Sequence, residues 1–167
     1  MTPQRPRVAD AIPELSAGIS QPEPSVEPSA PAEPESGQLY AALDLGTNSC
    51  RMLIARPKGT QFQVLDSFSK TVQLGVGLEA SGRLSRASMG RTIQALRICQ
   101  QKLKRNKVRR MRLIATEACR RAQNANEFIQ QVRRETGLQL EIIQPEEEAR
   151  LAVISCAPLV STKTEQL

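Results

Sequence analysis

Residues 41–54 combine an acidic side chain with a turn of small polar residues. Asp44 ends an apolar strand as a carboxylate that looks buried, and Gly46-Thr47-Asn48-Ser49 follows before the chain becomes apolar again. Such a turn can direct several backbone N–H groups and two hydroxyls into one small space, as phosphate-binding loops without a lysine do. The carboxylate can hold a divalent metal or position a water. These residues indicate phosphate chemistry, with an ordinary Gly- and Asn-rich hairpin turn as the alternative.

Two more charged residues are candidates for the same chemistry. Arg120 lies one turn into a predicted helix that follows a strand, where ligands of α/β sheets bind and where a helix N-terminus favours an anion. Glu148 is the last of three glutamates that open another predicted helix, and its place before the apolar Leu151 face favours an inward orientation, towards a water. The simpler alternatives are an exposed helical arginine and acids that complement the helix dipole.

The chain contains no histidine. This excludes Ser-His-Asp triads, histidine general acid–base catalysis, phosphohistidine intermediates and His-rich metal centres. Any catalysis by this chain must therefore use carboxylates, a metal ion, arginine and backbone donors.

The hydrophobic pattern predicts three antiparallel strands followed by alternating helices and strands. Ser85 is the predicted N-cap of a helix of about five turns, Thr116 caps a short helix, and Gly137 ends the next one. Gly75, Gly77 and Gly82 predict a flexible loop. This order is typical of an α/β, ribonuclease-H-like half with a mixed sheet flanked by helices. The predicted strands are 39–45, 50–56, 61–69, 108–115 and 138–143, and the predicted helices are 85–103, 117–123, 125–136 and 145–156.

The first 37 residues differ in composition from the rest. Eight of the eleven prolines lie in residues 1–36, which contain no aromatic residue and have too little apolar surface to offset ordering. We predict a disordered Pro/Glu/Ser-rich tail over 1–37, a domain over 38–160 and a truncated C-terminal end over 161–167. The tail carries two cations and six acids, a net charge of −4, which leaves +10 on residues 37–167. That basic part predicts an anionic partner or a solvated positive face.

Composition also restricts the partners and the compartment. An aromatic content of 2% disfavours base-stacking nucleic-acid binders, and no apolar run is long enough to span a membrane. The four cysteines have no C-x-x-C spacing, which predicts reduced thiols in a cytoplasmic protein. We interpret the basic cluster of residues 102–112 as mainly a solvated face near a helix end.

Taken together, five motifs in order resemble the exopolyphosphatase/guanosine pentaphosphate phosphohydrolase (Ppx/GppA) family, of the actin–Hsp70–sugar kinase superfamily. The resemblance covers residues 39–160. Its motifs are Ala42–Ser49 with Arg51, Val72–Leu78, Gly82–Ser85, Ala115–Ala122 with Asn124, and Glu141–Ile143 continuing through Glu147–Leu151.

The resemblance implies a Mg²⁺-dependent hydrolase that removes terminal phosphate from polyphosphate or pppGpp. It implies that Asp44 assists the metal or water, that Arg120 binds substrate phosphate and that Glu148 is the base for the attacking water. Phosphoryl transfer needs positioning and charge neutralisation more than covalent help, so this set suffices without histidine. The phosphate-binding loop that it implies is Gly46, Thr47, Asn48 and Ser49.

The chain departs from the family pattern at two places. Gln144-Pro145 stands where a glycine usually precedes the Glu-rich helix, and Leu167 comes before the family's second phosphate loop. We therefore expect a truncated member that forms one wall of a cleft, with weak or absent activity alone and an exposed sheet edge that favours aggregation or a homodimer. The alternatives are a non-catalytic phosphate- or nucleotide-binding remnant, a sugar- or acetate-kinase-like phosphotransferase and a basic nucleic-acid module.

Overall fold

A computed structural model describes residues 37–59 and 61–161, with side chains as far as Ser155. The predicted tail, apart from Gly37, and the end of the chain after residue 161 lie outside the described residues. The elements are β1 (Tyr40–Leu45), β2 (Ser49–Lys58), β3 (Gln61–Thr71), α1 (Leu78–Ser81), α2 (Arg86–Arg105), β4 (Arg110–Ala115), α3 (Glu117–Arg121), α4 (Ala125–Thr136), β5 (Glu141–Ile142) and α5 (Pro145–Ser161).

The strands form one mixed sheet in the order β3-β2-β1-β4-β5. β1, β2 and β3 form an antiparallel meander, in which Asp44 on β1 lies opposite Arg51 on β2. β1 and β4 are parallel, and β5 continues the parallel part at the edge. The antiparallel meander joined to parallel strands agrees with the predicted mixed sheet. A hairpin is enough to connect antiparallel strands, whereas the parallel pair β1 and β4 requires a longer crossover, which here includes α2.

Alternation along the strands gives the sheet two different faces. Leu43 and Leu45 point to a fully buried face, whereas Ala42 and Asp44, which alternate with them, point to the opposite, exposed face. α2 and α4 contribute apolar residues such as Leu96 and Phe128 to the core on the buried side. Ser85 caps α2 as predicted, since its hydroxyl accepts a hydrogen bond from the Ser88 N–H at 3.1 Å. The exposed side carries the charged residues of β1, β2 and β4.

Several elements differ in extent from the sequence prediction. The loop predicted between Gly75 and Gly82 contains the short helix α1. The residues that flank this helix are Gly77, with φ 78°, and Gly82, with φ 65°, and both adopt the left-handed conformation. β4 begins at Arg110 rather than residue 108. β5 has two residues rather than six, because it pairs with β4 only at Ile114 and Ala115. Met111 alternates with the buried Leu113 along β4 and is nevertheless 41% exposed.

Two expectations from composition can be compared with the described residues. Cys50, Cys99 and Cys119 are buried free thiols, and the side chain of Cys156 lies outside the described part. Among the described helices, none has the length and apolar character that a membrane crossing requires.

Candidate phosphate site at the carboxyl ends of the parallel strands

The loops that follow β1, β4 and β5 meet at one edge of the sheet. Leu45 and Ala115 are paired at the ends of β1 and β4, and the Thr116 N–H donates to the Leu45 carbonyl at 3.1 Å. The Ile143 N–H donates to the Ala115 carbonyl at 3.1 Å. The sheet therefore places the Gly46–Ser49 turn, the start of α3 and the start of α5 together, at the edge where open α/β sheets bind ligands.

The Gly46–Ser49 turn is held by backbone hydrogen bonds from a second segment, residues 72–75. The carbonyl of Asn48 accepts from the N–H groups of Val72 at 2.8 Å and Gln73 at 2.9 Å. The carbonyl of Thr47 accepts from Gly75 at 3.0 Å. A Cβ at Gly75 would lie 2.4 Å from the Thr47 methyl group, so only glycine permits this approach without a shift.

The turn offers fewer donors than the sequence predicted. The Gly46 N–H donates to the Ser49 carbonyl at 3.0 Å, so it closes the turn and is not available to a phosphate. In contrast, the N–H groups of Thr47 and Asn48 have no hydrogen-bond acceptor among residues 37–59 and 61–161. Asn48 is exposed, and Thr47 and Ser49 are half-buried. Two amides, two hydroxyls and one side-chain amide remain as possible contacts.

Asp44 lies on the open face of the sheet and not in the core. The sequence interpretation of a buried carboxylate was wrong, because Asp44 alternates with Leu43 and Leu45 and so points away from them. Neighbouring protein atoms nevertheless displace part of its hydration, and this partial desolvation raises its pKa. The charge of Glu148 raises the pKa further, while Arg51 lowers it. Asp44 and Glu148 are therefore close enough for their charges to interact.

Arg120 and Glu148 form an ion pair at this edge. Nη1 of Arg120 is 2.9 Å from Oε2 of Glu148 and donates also to the Ile143 carbonyl at 2.8 Å. The Arg120 side chain is mostly buried, whereas that of Glu148 is 45% exposed. Glu148, which the sequence pattern predicts to turn inward towards a water, faces Arg120 with its side chain half-exposed.

The helix that carries Arg120 is shorter than predicted. α3 has five residues, and the Thr116 side chain makes no capping hydrogen bond, so the expected help from this helix N-terminus is small. Arg120 itself supplies the positive charge there. Its fork also matches the oxygens of a phosphate, which it can contact through two parallel N–H groups.

The first turn of α5 is fixed to the sheet by a second set of ion pairs. Arg112 on β4 contacts Glu147 at 2.8 Å and Glu141 at 3.1 Å, and Arg150 contacts Glu147 at 2.6 Å. These contacts lower the pKa of Glu147 to about 2, chiefly through hydrogen bonds from Arg150 and then Arg112. Part of the basic cluster interpreted as a solvated face is thus engaged in ion pairs.

Asp44 and Glu148 are suited to a Mg²⁺ ion that also binds water and substrate, and less suited to a metal ion whose ligands all come from the protein. No group of three or more His, Cys, Asp or Glu side chains in the described part of the chain could hold a metal ion. Mg²⁺ usually keeps several waters and binds through one or two carboxylates and the phosphates of its substrate. Asp44 beside Glu148 fits that pattern, because a cation would relieve the repulsion that raises the pKa of Asp44.

Asn124 has a structural role that its place in the sequence did not disclose. Its buried side chain accepts from the Leu84 N–H at 2.8 Å and donates to the Leu84 carbonyl at 3.0 Å. The Gln123 N–H also donates to the Gly82 carbonyl at 3.0 Å. The segment before α2 and the segment before α4 are therefore joined by hydrogen bonds.

The fold and this edge define an α/β domain of the actin, Hsp70 and sugar-kinase type, with polar loops gathered beyond its parallel strands. The sequence model of the Ppx/GppA phosphatase family matches residues 53–166, so the chain belongs to that family. The matched range includes Arg120 and Glu148, and it begins after the Gly46–Ser49 turn.

Solved structures of relatives agree with this assignment. The crystal structure of an Aquifex aeolicus Ppx/GppA family member is 37% identical, with a TM-score of 0.69 over 72% of this chain and 39% of that one. A type II variant of the Aquifex aeolicus phosphatase is 36% identical over 74% of this chain and 41% of that one, with a TM-score of 0.69. An exopolyphosphatase from Cytophaga hutchinsonii is 25% identical over 68% and 36%, with a TM-score of 0.65. The chain spans about two fifths of the length of the first two.

Proposed function

We propose that this chain binds the terminal phosphates of polyphosphate or pppGpp and hydrolyses the terminal anhydride bond. Membership of a phosphatase family supports hydrolysis of a phosphate bond. The similarity to an exopolyphosphatase supports polyphosphate as a substrate class, and both substrates present the same terminal phosphoanhydride.

The contact between Arg120 and Glu148 carries the proposal. It brings a cation that can bind phosphate and a carboxylate that can act as a base within 2.9 Å of each other, and the charge of Glu148 also acts on Asp44. In the protein without substrate, the Arg120 guanidinium forms an ion pair with the Glu148 carboxylate. A terminal phosphate competes for the same guanidinium, since Arg binds phosphate and carboxylate through the same fork. Substrate binding would thus release the base where its water is needed.

The reaction then follows in one displacement. Glu148 accepts a proton from a water, and the water oxygen forms a bond to the terminal phosphorus. The anhydride P–O bond breaks, its electron pair leaves with the shortened chain, and orthophosphate is released. Arg120 and the free N–H groups of Thr47 and Asn48 bind and orient the phosphate oxygens, which is the main contribution a protein makes to phosphoryl transfer.

Mg²⁺ would be held by Asp44 together with the substrate phosphates. Such an ion supplies neutralisation of the phosphate charge. The residues of the chain bind the phosphate, orient it and accept the proton.

The test is orthophosphate release from long-chain polyphosphate and from pppGpp with Mg²⁺, combined with binding of tripolyphosphate by calorimetry. We expect Glu148→Gln to abolish release and to bind tripolyphosphate at least as tightly as the wild type, because the amide no longer competes for Arg120. Arg120→Gln should weaken binding about tenfold or more, the range for a charge-assisted bidentate contact.

Arg121→Gln is the matched control, since Arg121 is the adjacent arginine on α3 and pairs with Glu79 and Glu117 on the surface. It should leave binding and release unchanged. Release by Glu148→Gln at the wild-type rate would contradict the base assignment. Tight binding without release by the wild type would favour the binding-only alternative, and unchanged binding by Arg120→Gln would contradict both.

A further inference from the structure

Arg91, in the second turn of α2, is hydrogen-bonded to the segment 72–75, which holds the Gly46–Ser49 turn. Its Nε donates to the Val72 carbonyl at 3.1 Å, and its Nη2 donates to the Gln73 carbonyl at 3.3 Å. The same Nη2 lies 3.2 Å from Oγ of the buried Ser88, which orients the guanidinium from the side of the helix. One side chain thus connects α2 with two consecutive carbonyls of the 72–75 segment.

The backbone at this segment adopts a conformation that needs support. Gln73 has φ 51°, in the left-handed region that side chains other than glycine rarely occupy. Such conformations persist when the surroundings fix them, and they concentrate at functional sites. Arg91 holds the carbonyl side of Val72 and Gln73, while their N–H groups hold the carbonyl of Asn48.

Together these contacts form a continuous chain from α2 to the turn. Arg91 binds the carbonyls of Val72 and Gln73, and the N–H groups of Val72, Gln73 and Gly75 bind the carbonyls of Asn48 and Thr47. Within the Gly46–Ser49 turn, Thr47 and Asn48 are the residues whose own N–H groups have no acceptor among the described residues. The conformation of 72–75 therefore determines where those two donors point.

We propose that Arg91 is a positioning residue for phosphate recognition, which sets the geometry of the Thr47 and Asn48 amides through the 72–75 segment. The inference rests on the proposed function for its phosphate ligand. Arg91 does not touch that ligand in this account, so its effect depends on the fork of the guanidinium and not on its charge. A lysine in its place has the charge but cannot donate to both carbonyls in a fixed plane.

The experiment compares the full chain as wild type, Arg91→Gln, Arg91→Lys and Arg86→Gln. Arg86 lies on the same helix and makes no ion pair among the described residues, so its loss removes one charge without touching 72–75. The first measurement is amide hydrogen exchange at Val72, Gln73 and Gly75 in the free protein. The second is the affinity for inorganic tripolyphosphate with Mg²⁺ by calorimetry.

In Arg91→Gln, these amides should exchange about tenfold faster, and the affinity for tripolyphosphate should fall about tenfold. Both effects have the same cause, because loss of the Arg91 contacts lets the 72–75 segment open and moves the Thr47 and Asn48 N–H groups out of place. Arg91→Lys should remain several-fold weaker than the wild type, and Arg86→Gln should match the wild type. If Arg91→Gln does not fold, Arg91→Lys gives the same comparison, because it retains the charge and the aliphatic stem.

Full restoration by Arg91→Lys, or loss of affinity by Arg86→Gln equal to that of Arg91→Gln, would show that charge alone matters and would overturn the inference. Unchanged exchange in Arg91→Gln would overturn it whatever the binding result. Absence of tripolyphosphate binding by the wild type would instead contradict the proposed function, while faster exchange in Arg91→Gln would still support the link from α2 to the turn.

Discussion

The two halves of the site are held in different ways. The Gly46–Ser49 turn is fixed by backbone hydrogen bonds to residues 72–75, with no ion pair in those contacts. The Arg120–Glu148 half depends on side-chain ion pairs, which attach the exposed first turn of α5 to β4 and α3. Backbone contacts of this kind are insensitive to salt and pH, whereas exposed ion pairs are screened and titrate. The comparison implies a rigid Gly46–Ser49 turn on one side of the site and an adjustable Glu148 on the other.

That difference suits the proposed reaction. The turn must present its donors in one geometry before substrate arrives, because preorganised donors do not have to reorganise when charge develops on the phosphate. Glu148 must instead exchange its partner, from Arg120 to a water. A partly exposed ion pair permits such an exchange at small cost, since pairs of this kind contribute little to stability.

The largest effect is expected from Gly75→Ala. Its new methyl group would lie 2.4 Å from the Thr47 methyl, so the turn must shift, and overpacking of this kind costs about 1–3 kcal/mol of unfolding free energy. Urea denaturation measures the change. Gly90→Ala on α2 is the control, because a Cβ there meets nothing within 4 Å and alanine favours a helix by about 0.5–1 kcal/mol.

A second substitution tests the cause of the Gly75→Ala effect. Thr47→Ser removes the methyl group that the new Cβ meets, so adding it to Gly75→Ala should recover most of the lost stability. If the double variant is as unstable as Gly75→Ala, the close approach between the turn and 72–75 is not what requires glycine at this position.

A smaller effect is expected from Arg112→Gln, which removes the contacts of β4 with Glu141 and Glu147. Amide hydrogen exchange in the first turns of α5 should become faster, while exchange at Val72 and Gln73 stays as in the wild type. Raising the salt concentration of the wild type should produce the same selective change through screening. Equal acceleration in both regions would remove the distinction between them.

The smallest effect concerns pH. The pKa of Glu147 falls from its ordinary 4.5 to about 2 in the folded chain, so between these values the unfolded chain binds more protons there. The contribution of Glu147 is therefore complete above pH 4.5 and is lost as the pH falls towards 2. Thermal unfolding should show a steeper loss of stability over that range in the wild type than in Glu147→Gln. Parallel profiles would contradict the assignment.

Sequence reasoning recovered the order of the main elements because the signals are local. Alternation identified the strands, and Ser85 and Gly137 marked helix ends through their own backbone geometry. It missed α1, which has only four residues. It also misplaced Asp44, because apolar neighbours on both sides do not indicate the face to which a strand residue points.

The site itself was predictable in its residue types but not in its contacts. Motif order singled out Arg120 and Glu148, which lie 28 residues apart and which the structure pairs. Nothing near Arg91 or Gly75 in the chain indicates that Arg91 donates to the carbonyls of Val72 and Gln73 or that Gly75 packs against Thr47. Those contacts arise from tertiary packing of α2 and the 72–75 segment, which no local pattern encodes.

The most direct test of the account is an NMR titration of the isotopically labelled chain with tripolyphosphate and Mg²⁺, following the backbone amides. We predict saturable shifts at Thr47 and Asn48 and at the residues around Arg120, with one common affinity, and loss of both sets in Arg120→Gln. Shifts confined to the basic residues Lys107 and Arg109 at the opposite end of the sheet, with Thr47 and Asn48 unaffected, would contradict the phosphate site proposed for this edge.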